Sequence, residues 1–183
     1  IALIKAPRKQ ALMLALGALL ISSLAFGRVI AFKGQAERLP PLHDVQTDWA
    51  NPIMPSEALL ADRTSTGALN PVEAAPVVPE AADARWPGTG GRLVSEVQEE
   101  AEFDPAKQSS PKNAPYPMLE TLIEATVSSF WFDFKDDVMI RVMPEGEGSR
   151  IDVRSISRVG LSDLGANSKR VSDLLNEIQT RLN

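Results

Sequence analysis

Val138-Met-Ile-Arg-Val-Met143 places an apolar side chain at every second position, and Ile123-Glu-Ala-Thr-Val127 and Ile151-Asp-Val153 show the same alternation. A period of two is typical of β-strands, whose successive side chains point to opposite faces of a sheet. The segments between them, Asp133–Asp137 and Pro144–Gly148, are rich in turn-forming residues. The pattern therefore predicts a three-stranded antiparallel sheet with one apolar face.

A helix is predicted after these strands, because apolar residues recur there at the spacing of one helical face. They are Val171, Leu174, Leu175, Ile178 and Leu182. Such an amphipathic helix packs across a sheet, so residues 118–183 are predicted to form a small α+β domain. The aromatic run Phe130-Trp-Phe-Asp-Phe134 offers apolar area that so small a core needs, either inside the domain or against another surface.

The N-terminal part of the chain is apolar in a different way. Ala11–Gly27 (ALMLALGALLISSLAFG) contains no charged residue, and the segment approaches the roughly 20 residues that cross a bilayer as a helix. We predict a transmembrane helix over residues 10–32, preceded by a basic flank over residues 1–9, with Arg28 reaching the headgroup region. A secretory signal peptide is the alternative, because Ala25-Phe-Gly27 is similar to a cleavage site.

Residues 33–117 differ from the apolar segment in amino-acid composition. Twelve of the 14 prolines of the chain lie between Leu39 and Pro117, among Ala, Glu, Asp, Ser and Thr and without sustained apolar periodicity. This composition predicts an extended Pro/Ala-rich segment, interrupted by short helices over residues 55–62 and 92–103. Since the segment has no core of its own, we expect it to lie along a partner protein or around the C-terminal domain.

Charge and cysteine content exclude several classes of function. A net charge of -5 argues against nucleic acid as the main partner. The chain contains no cysteine, which rules out disulfide frameworks and thiolate metal sites. No nucleophile elbow, phosphate-binding glycine loop or HExxH pattern occurs. We therefore predict neither a cofactor nor a metal, and no catalytic residues.

Two long motifs resemble one known family. They are Ile123-Glu-Ala-Thr-Val-Ser-Ser-Phe-Trp-Phe-Asp-Phe-Lys-Asp-Asp-Val138 and Arg154-Ser-Ile-Ser-Arg-Val-Gly-Leu-Ser-Asp-Leu-Gly-Ala-Asn-Ser-Lys-Arg170. In this order they resemble the domain of unknown function 1499 family, and Leu39–Asp48 resembles the opening of that family's soluble part. Members usually have an amphipathic helix and a strand before the first motif, where this chain has only Ala114–Leu122. The family implies no chemistry that could be transferred.

The resemblance also implies a location, because many bacterial members carry transmembrane helices ahead of the soluble part. We expect the chain to cross the bacterial inner membrane once, with the soluble part in the periplasm. The basic residues do not test the orientation, since Lys5, Arg8 and Lys9 precede the helix and Lys33 and Arg38 follow it.

The densest polar cluster consists of Arg154, Ser157, Arg158, Asp163, Asn167 and Arg170. A loop that leads into a helix N-terminus can bind an anion, phosphate or lipid headgroup through free backbone N–H groups. The favoured interpretation is structural: Gly160 and Gly165 shape the loop and Asp163 or Asn167 caps the helix. The arginines would then pair with Asp136, Asp137 and Asp152.

Two other groups could bind a cation. Lys135-Asp-Asp137 offers two carboxylates, but adjacent strand residues point to opposite faces, which favours a solvated turn. His43 is the only histidine and could bind a metal with Asp44 and Asp48, although a polar junction beside the membrane is the simpler interpretation.

These patterns favour a non-catalytic accessory or assembly subunit of a larger integral membrane complex, of the respiratory or photosynthetic type. Its partners would be the lipid bilayer and that complex. The residues proposed to contact the partner are Gly17, Ser22, Gly27, Phe130, Trp131 and Phe132. The alternative is a module that binds a lipid headgroup or another anion at the membrane surface, and an enzyme comes third.

Overall fold

A computed structural model describes residues 8–36, 39–101, 120–129 and 132–182. The chain divides into two compact units, residues 1–38 and 39–183. Of the predicted basic flank, residues 1–7 lie outside the described residues, and so do residues 102–119 and the aromatic pair Phe130 and Trp131.

The first unit contains one long helix, α1, which runs from Arg8 to Ala36 and includes the predicted span 10–32. Its segment Lys9–Ala31 is long and apolar enough to cross a membrane, and no other helix in the described part of the chain meets that criterion. The side chains of this segment are exposed within the unit. The sequence pattern explains the helix, because Ala11–Gly27 is rich in Leu and Ala, which are strong helix formers.

The second unit is built on a four-stranded antiparallel sheet. Its strands are β1 (Asp44–Gln46), β2 (Thr121–Ser128), β3 (Lys135–Glu145) and β4 (Gly148–Ser157), in the order β1-β4-β3-β2. The α+β class is confirmed, whereas the prediction of three strands was wrong. The additional strand, β1, has a single apolar residue between two polar ones and is too short to show a period of two.

In the described part of the second unit, three further α-helices and a short 3-10 helix surround the sheet. They are α2 (Glu57–Ser65), the 3-10 helix Glu80–Ala84, α3 (Val94–Glu100) and α4 (Ala166–Leu182). Helices α2 and α3 lie where short helices were predicted, and α4 is the predicted amphipathic helix. Ser56 starts α2, because its hydroxyl accepts a hydrogen bond from the Leu59 N–H.

One face of the sheet carries the apolar core, and we call it the α4 face. Val138 of β3, Val153 of β4 and Val171 of α4 are buried together there, with Leu174 and Leu175 packed at the margin. Residues 39–101 complete this core with Leu42, Val45, Val78, Ala82, Val94 and Val97. The described part of the Pro-rich segment therefore packs on its own domain, which was one of the two arrangements expected for it.

The opposite face of the sheet is also buried. Met139 and Ile156 lie on it, and Ile53 and Leu59 from the Pro-rich segment cover them. The sheet was predicted to have one apolar face, which is the α4 face, and the Pro-rich segment covers the second face as well. Its apolar residues are few, because most positions on this second face are charged.

Candidate functional site

The second face of the sheet is an ion-pair face. Along β3 it presents Asp137 and Arg141, and along β4 it presents Arg150, Asp152 and Arg154, at every second residue. The strand register sets Arg141 directly opposite Asp152, so the two charges meet as a cross-strand pair. Residues 39–101 cover the face and add acidic partners from above.

Arg154 is the centre of one half of this face and is fully buried. Its guanidinium donates to both carboxylate oxygens of Asp44, with Nε 2.9 Å from Oδ1. Further donors reach the carbonyl oxygens of Ile53 and Glu73, each at 2.7 Å. The Trp49 ring lies 5.7 Å from the guanidinium carbon. Because four oxygen acceptors surround it, Arg154 is held as an interior structural residue rather than presented to a ligand.

Asp137 is the centre of the other half. Arg158 donates to it from Nε and from Nη2, the latter at 2.6 Å, and Arg63 donates from Nη1. The Thr126 hydroxyl adds a bond of 2.7 Å. Burial would raise the pKa of Asp137, but the hydrogen bonds from Arg158 and Thr126 and the charge of Arg63 outweigh it, so the pKa lies below its usual value.

A third group joins Arg141 and Arg150. Asp152 accepts from Arg141 at 3.0 Å and from Arg150 at 3.2 Å, and Arg150 also donates to Asp48 at 2.7 Å. Across the face the buried arginines are Arg63, Arg141, Arg150, Arg154 and Arg158, and the buried aspartates are Asp44, Asp48, Asp137 and Asp152. Asp62, half exposed, binds Arg158 and supplies the fifth negative charge. The five buried arginines are therefore matched by five aspartates.

Other members of the predicted polar cluster lie on the α4 face. Buried Asn167 accepts from the Ser155 hydroxyl at 2.7 Å and donates to Ser157 Oγ at 3.0 Å and to the His43 carbonyl at 3.1 Å. Arg170 pairs with Asp136 at 2.7 Å. The sheet thus separates Arg154 and Arg158 from Ser157, Asn167 and Arg170, so the structure does not bring the six candidate residues into one site.

Asp163 occupies the loop before α4. Its carboxylate accepts hydrogen bonds from the backbone N–H groups of Gly165, at 2.7 Å, and Asn167, at 2.6 Å, and so caps the helix. Burial raises the pKa of Asp163 to about 6, because it outweighs the two N–H groups that stabilise the charged form.

The candidate cation sites take structural roles. His43 is buried, and burial together with the charges of Arg154 and Arg63 lowers its pKa against the opposing charge of Asp44. Asp44 and Asp48 are held by Arg154 and Arg150. In the described ranges, no group of three or more His, Cys, Asp or Glu residues is placed to hold a metal ion.

Of the candidate contact residues that the structure describes, Ser22, Gly27 and Phe132 are exposed and Gly17 is partly exposed. Gly17 and Gly27 of α1 have open space where a larger residue would carry its Cβ atom. Ser22 lies about 140° around the helix from each of them, so the three do not share one face. Phe132 and Phe134, at the β2–β3 turn, are 72% and 54% exposed, and their rings stack at 5.5 Å.

The sequence analysis predicted part of this pairing, since Arg158 binds Asp137 and Arg170 binds Asp136, but it did not predict a buried ion-pair face. Arg150, Asp152 and Arg154 alternate with Ile151 and Val153, which is a strand pattern with charges on the second face. Charged residues at alternate positions ordinarily indicate a solvated face. The partners Asp44 and Asp48 are more than 100 residues away in sequence, so their pairing could not be predicted from spacing.

These features define an α+β domain with paired arginines and aspartates in its interior, joined in sequence to a helix that could cross a membrane. The chain belongs to the family described as protein of unknown function (DUF1499), whose model matches residues 44–178. The match begins at β1 and ends within α4, so it includes the Pro-rich residues that cover the sheet. No curated protein and no solved structure matches the chain.

Proposed function

We propose that the protein is a non-catalytic accessory or assembly subunit of a larger integral membrane complex, anchored by α1 as a single-pass helix. The proposed location is the bacterial inner membrane, with the domain in the periplasm, and respiratory or photosynthetic complexes are the first class of partner to search. The domain would then act as a rigid extramembrane part of the assembly.

One observation carries this proposal: the charged groups of the sheet are paired with one another in the interior, whereas the surface of α1 is exposed and apolar through most of Lys9–Ala31. Groups that could have bound an anion or moved a proton are engaged in structural hydrogen bonds. Apolar contact with lipid and protein is what the exposed helix can offer.

The Pro-rich segment supports the proposal less than its composition suggested. Residues 39–101 bury apolar side chains on their own domain, so their order requires no partner. The proposed contact with the complex therefore rests on α1, where Gly17 and Ser22 leave room for a neighbouring helix to approach on either side.

The test is purification of the tagged full chain from native membranes in mild detergent, followed by blue-native migration and mass spectrometry. We expect a discrete complex that carries the same integral membrane proteins in repeated preparations. Gly17→Leu or Ser22→Leu should weaken co-migration because the larger side chain obstructs a partner helix, whereas Leu20→Ile should not. A chain that migrates alone, or that carbonate washing releases from the membrane, would contradict the proposal.

A further inference from the structure

The two ends of the sheet differ in chemical character. At one end lie Ser128, Lys135 and Arg158, since Ser128 pairs with Lys135 and the Arg158 N–H donates to the Lys135 carbonyl. We call this the proximal end. At the other, the distal end, the β3–β4 turn Glu145-Gly-Glu-Gly148 is acidic. Glu145 follows Lys135 by ten positions along β3, so the ends are about 33 Å apart.

Four exposed, large apolar side chains belong to the proximal end. They are Leu69, Phe132, Phe134 and Leu161, which are between 40% and 78% exposed. Backbone bonds fix their positions: the Leu69 N–H donates to the Arg158 carbonyl, and the Ser129 N–H donates to the Phe134 carbonyl beside it. Leu161 follows Arg158 by three residues. Single exposed apolar residues are ordinary, but four at one end of a sheet indicate a surface that contacts another apolar surface.

The chain also enters the domain at the proximal end. Leu39–His43 lead into β1 at this end. The Ser157 N–H donates to the His43 carbonyl, and the Asp163 N–H donates to the Leu42 carbonyl. If Lys9–Ala31 crosses the bilayer, α1 continues to Ala36 and three residues then reach Leu39, a path of at most about 20 Å. The covalent path from the apolar segment therefore enters the domain at its proximal end.

We infer that the proximal end docks on the lipid bilayer, with Phe132 and Phe134 inserted at the headgroup level. This inference rests on the membrane anchor of the proposed function. Phenylalanine and leucine are typical of the apolar side chains that interfacial segments bury at the membrane surface, and Asp133 and Lys135, the charged residues beside the rings, are of opposite sign. The contact is therefore apolar and does not require anionic lipid.

The test uses the full chain, which has no native cysteine to interfere with labelling. Phe132→Cys and, as the matched distal control, Glu147→Cys each receive one environment-sensitive dye, and the protein is reconstituted in phosphatidylcholine vesicles. At position 132 we expect blue-shifted emission that lipids spin-labelled near the headgroup quench. At position 147 we expect the emission of the dye in water and no quenching. Adding Phe134→Ser to the Phe132→Cys variant should reduce the quenching.

Flotation of the same samples separates two kinds of failure. Protein that does not float with the vesicles contradicts the anchor, and with it the proposed function. Protein that floats while the dye at 132 reports water overturns the docking inference alone, and shielding that appears only in native membranes would assign the surface to a protein partner instead. A signal that requires phosphatidylglycerol would indicate headgroup charge recognition and would overturn the apolar contact.

Discussion

Different interactions stabilise the two faces of the sheet. On the α4 face, Val138, Val153 and Val171 exclude water from an apolar core. On the ion-pair face, Arg154 and Asp137 each carry several charge-assisted hydrogen bonds out of contact with solvent. An apolar face tolerates gradual loss of contact area, whereas a buried charge without its partner is strongly unfavourable. Residues 39–101 therefore matter most for stability on the ion-pair face, where they supply partners for buried charges.

The largest effect is expected from Asp137→Asn, which has nearly the same shape but removes the negative charge shared by Arg63 and Arg158. Arg63 would lose its carboxylate partner and Arg158 would keep the half-exposed Asp62, at a cost of about 3–5 kcal/mol in the free energy of unfolding. Urea unfolding of the full chain in mild detergent, followed by tryptophan fluorescence, measures it. Glu147→Gln, in the exposed distal turn, is the control and should change stability by less than about 0.5 kcal/mol. Equal behaviour of the two variants would show that the ion-pair face is not a stability determinant.

Two aspartates with opposite pKa shifts sharpen the comparison. Asp137 faces arginines and its pKa is lowered, whereas Asp163 faces backbone N–H groups in a partly buried loop and its pKa is raised to about 6. A raised pKa means that the folded chain binds the proton more tightly, so this stabilisation is present below about pH 4 and is lost as the pH rises through 6. Relative to Asp163→Asn, the wild-type free energy of unfolding should fall by about 3 kcal/mol between pH 4 and pH 7.

Paired urea titrations at several pH values test this difference between Asp163 and its amide variant. The shape of the difference curve is diagnostic, because Asp137 contributes with the opposite sign in both proteins and cancels. Its own stabilisation is present above its ordinary pKa and is lost as the pH falls. A wild-type-minus-variant difference that stays flat from pH 4 to pH 7 would contradict the environment assigned to Asp163.

A smaller effect is expected on the apolar face. Val171→Ala removes two buried methyl groups from the core and should cost about 2 kcal/mol, measured by the same urea unfolding. Leu174→Ala and Leu175→Ala remove more atoms but only from partly buried positions, so each should cost about the same or less. Leu182 is exposed on the last turn of α4, so Leu182→Ala should leave the free energy of unfolding almost unchanged and serves as the control. If Leu182→Ala matched Val171→Ala, the orientation of α4 would be wrong.

The smallest effect concerns the helix that covers the ion-pair face. Ser56 caps α2 and also donates its hydroxyl hydrogen to Glu124 of β2 at 2.6 Å. Ser56→Ala should cost about 1 kcal/mol, because one capping bond and one link to the sheet are lost. Ser65→Ala, which removes an exposed hydroxyl at the other end of α2, is the matched control in the same unfolding experiment. No difference between the two would mean that the cap does not hold α2 in place.

How much of the fold could be predicted from the sequence depends on whether the interactions are local or join residues far apart in the chain. The strands β2, β3 and β4, the helix α4 and the apolar helix α1 follow from periodicity and composition, which are local properties of the sequence. The family resemblance likewise came from two contiguous motifs. The strand β1 could not be predicted, because Asp44–Gln46 is short and its partner lies more than 100 residues later.

The candidate site illustrates the same limit. The sequence places Arg154, Arg158 and Asp163 in one polar cluster, and the predicted structural alternative, in which Asp163 or Asn167 caps α4, agrees with the cap that Asp163 forms. Their partners were partly missed, since Asp44 holds Arg154 and no local pattern joins the two. The distribution of the cluster over two faces follows from the strand alternation, but which face is covered depends on residues 39–101, whose composition resembles that of a linker.

The central claim is that residues 39–101 belong to the folded domain and enclose its ion-pair face without help from a partner. Hydrogen exchange of the full chain, purified and reconstituted alone in lipid nanodiscs, tests it most directly. The amides of Gln46, Thr47 and Val78 are bonded to Gln98, Val153 and Arg92 respectively. We predict that peptides containing them exchange as slowly as those of β3 and β4. Exchange within seconds in these peptides, while β3 and β4 stay protected, would show that the segment is a linker and would contradict the account.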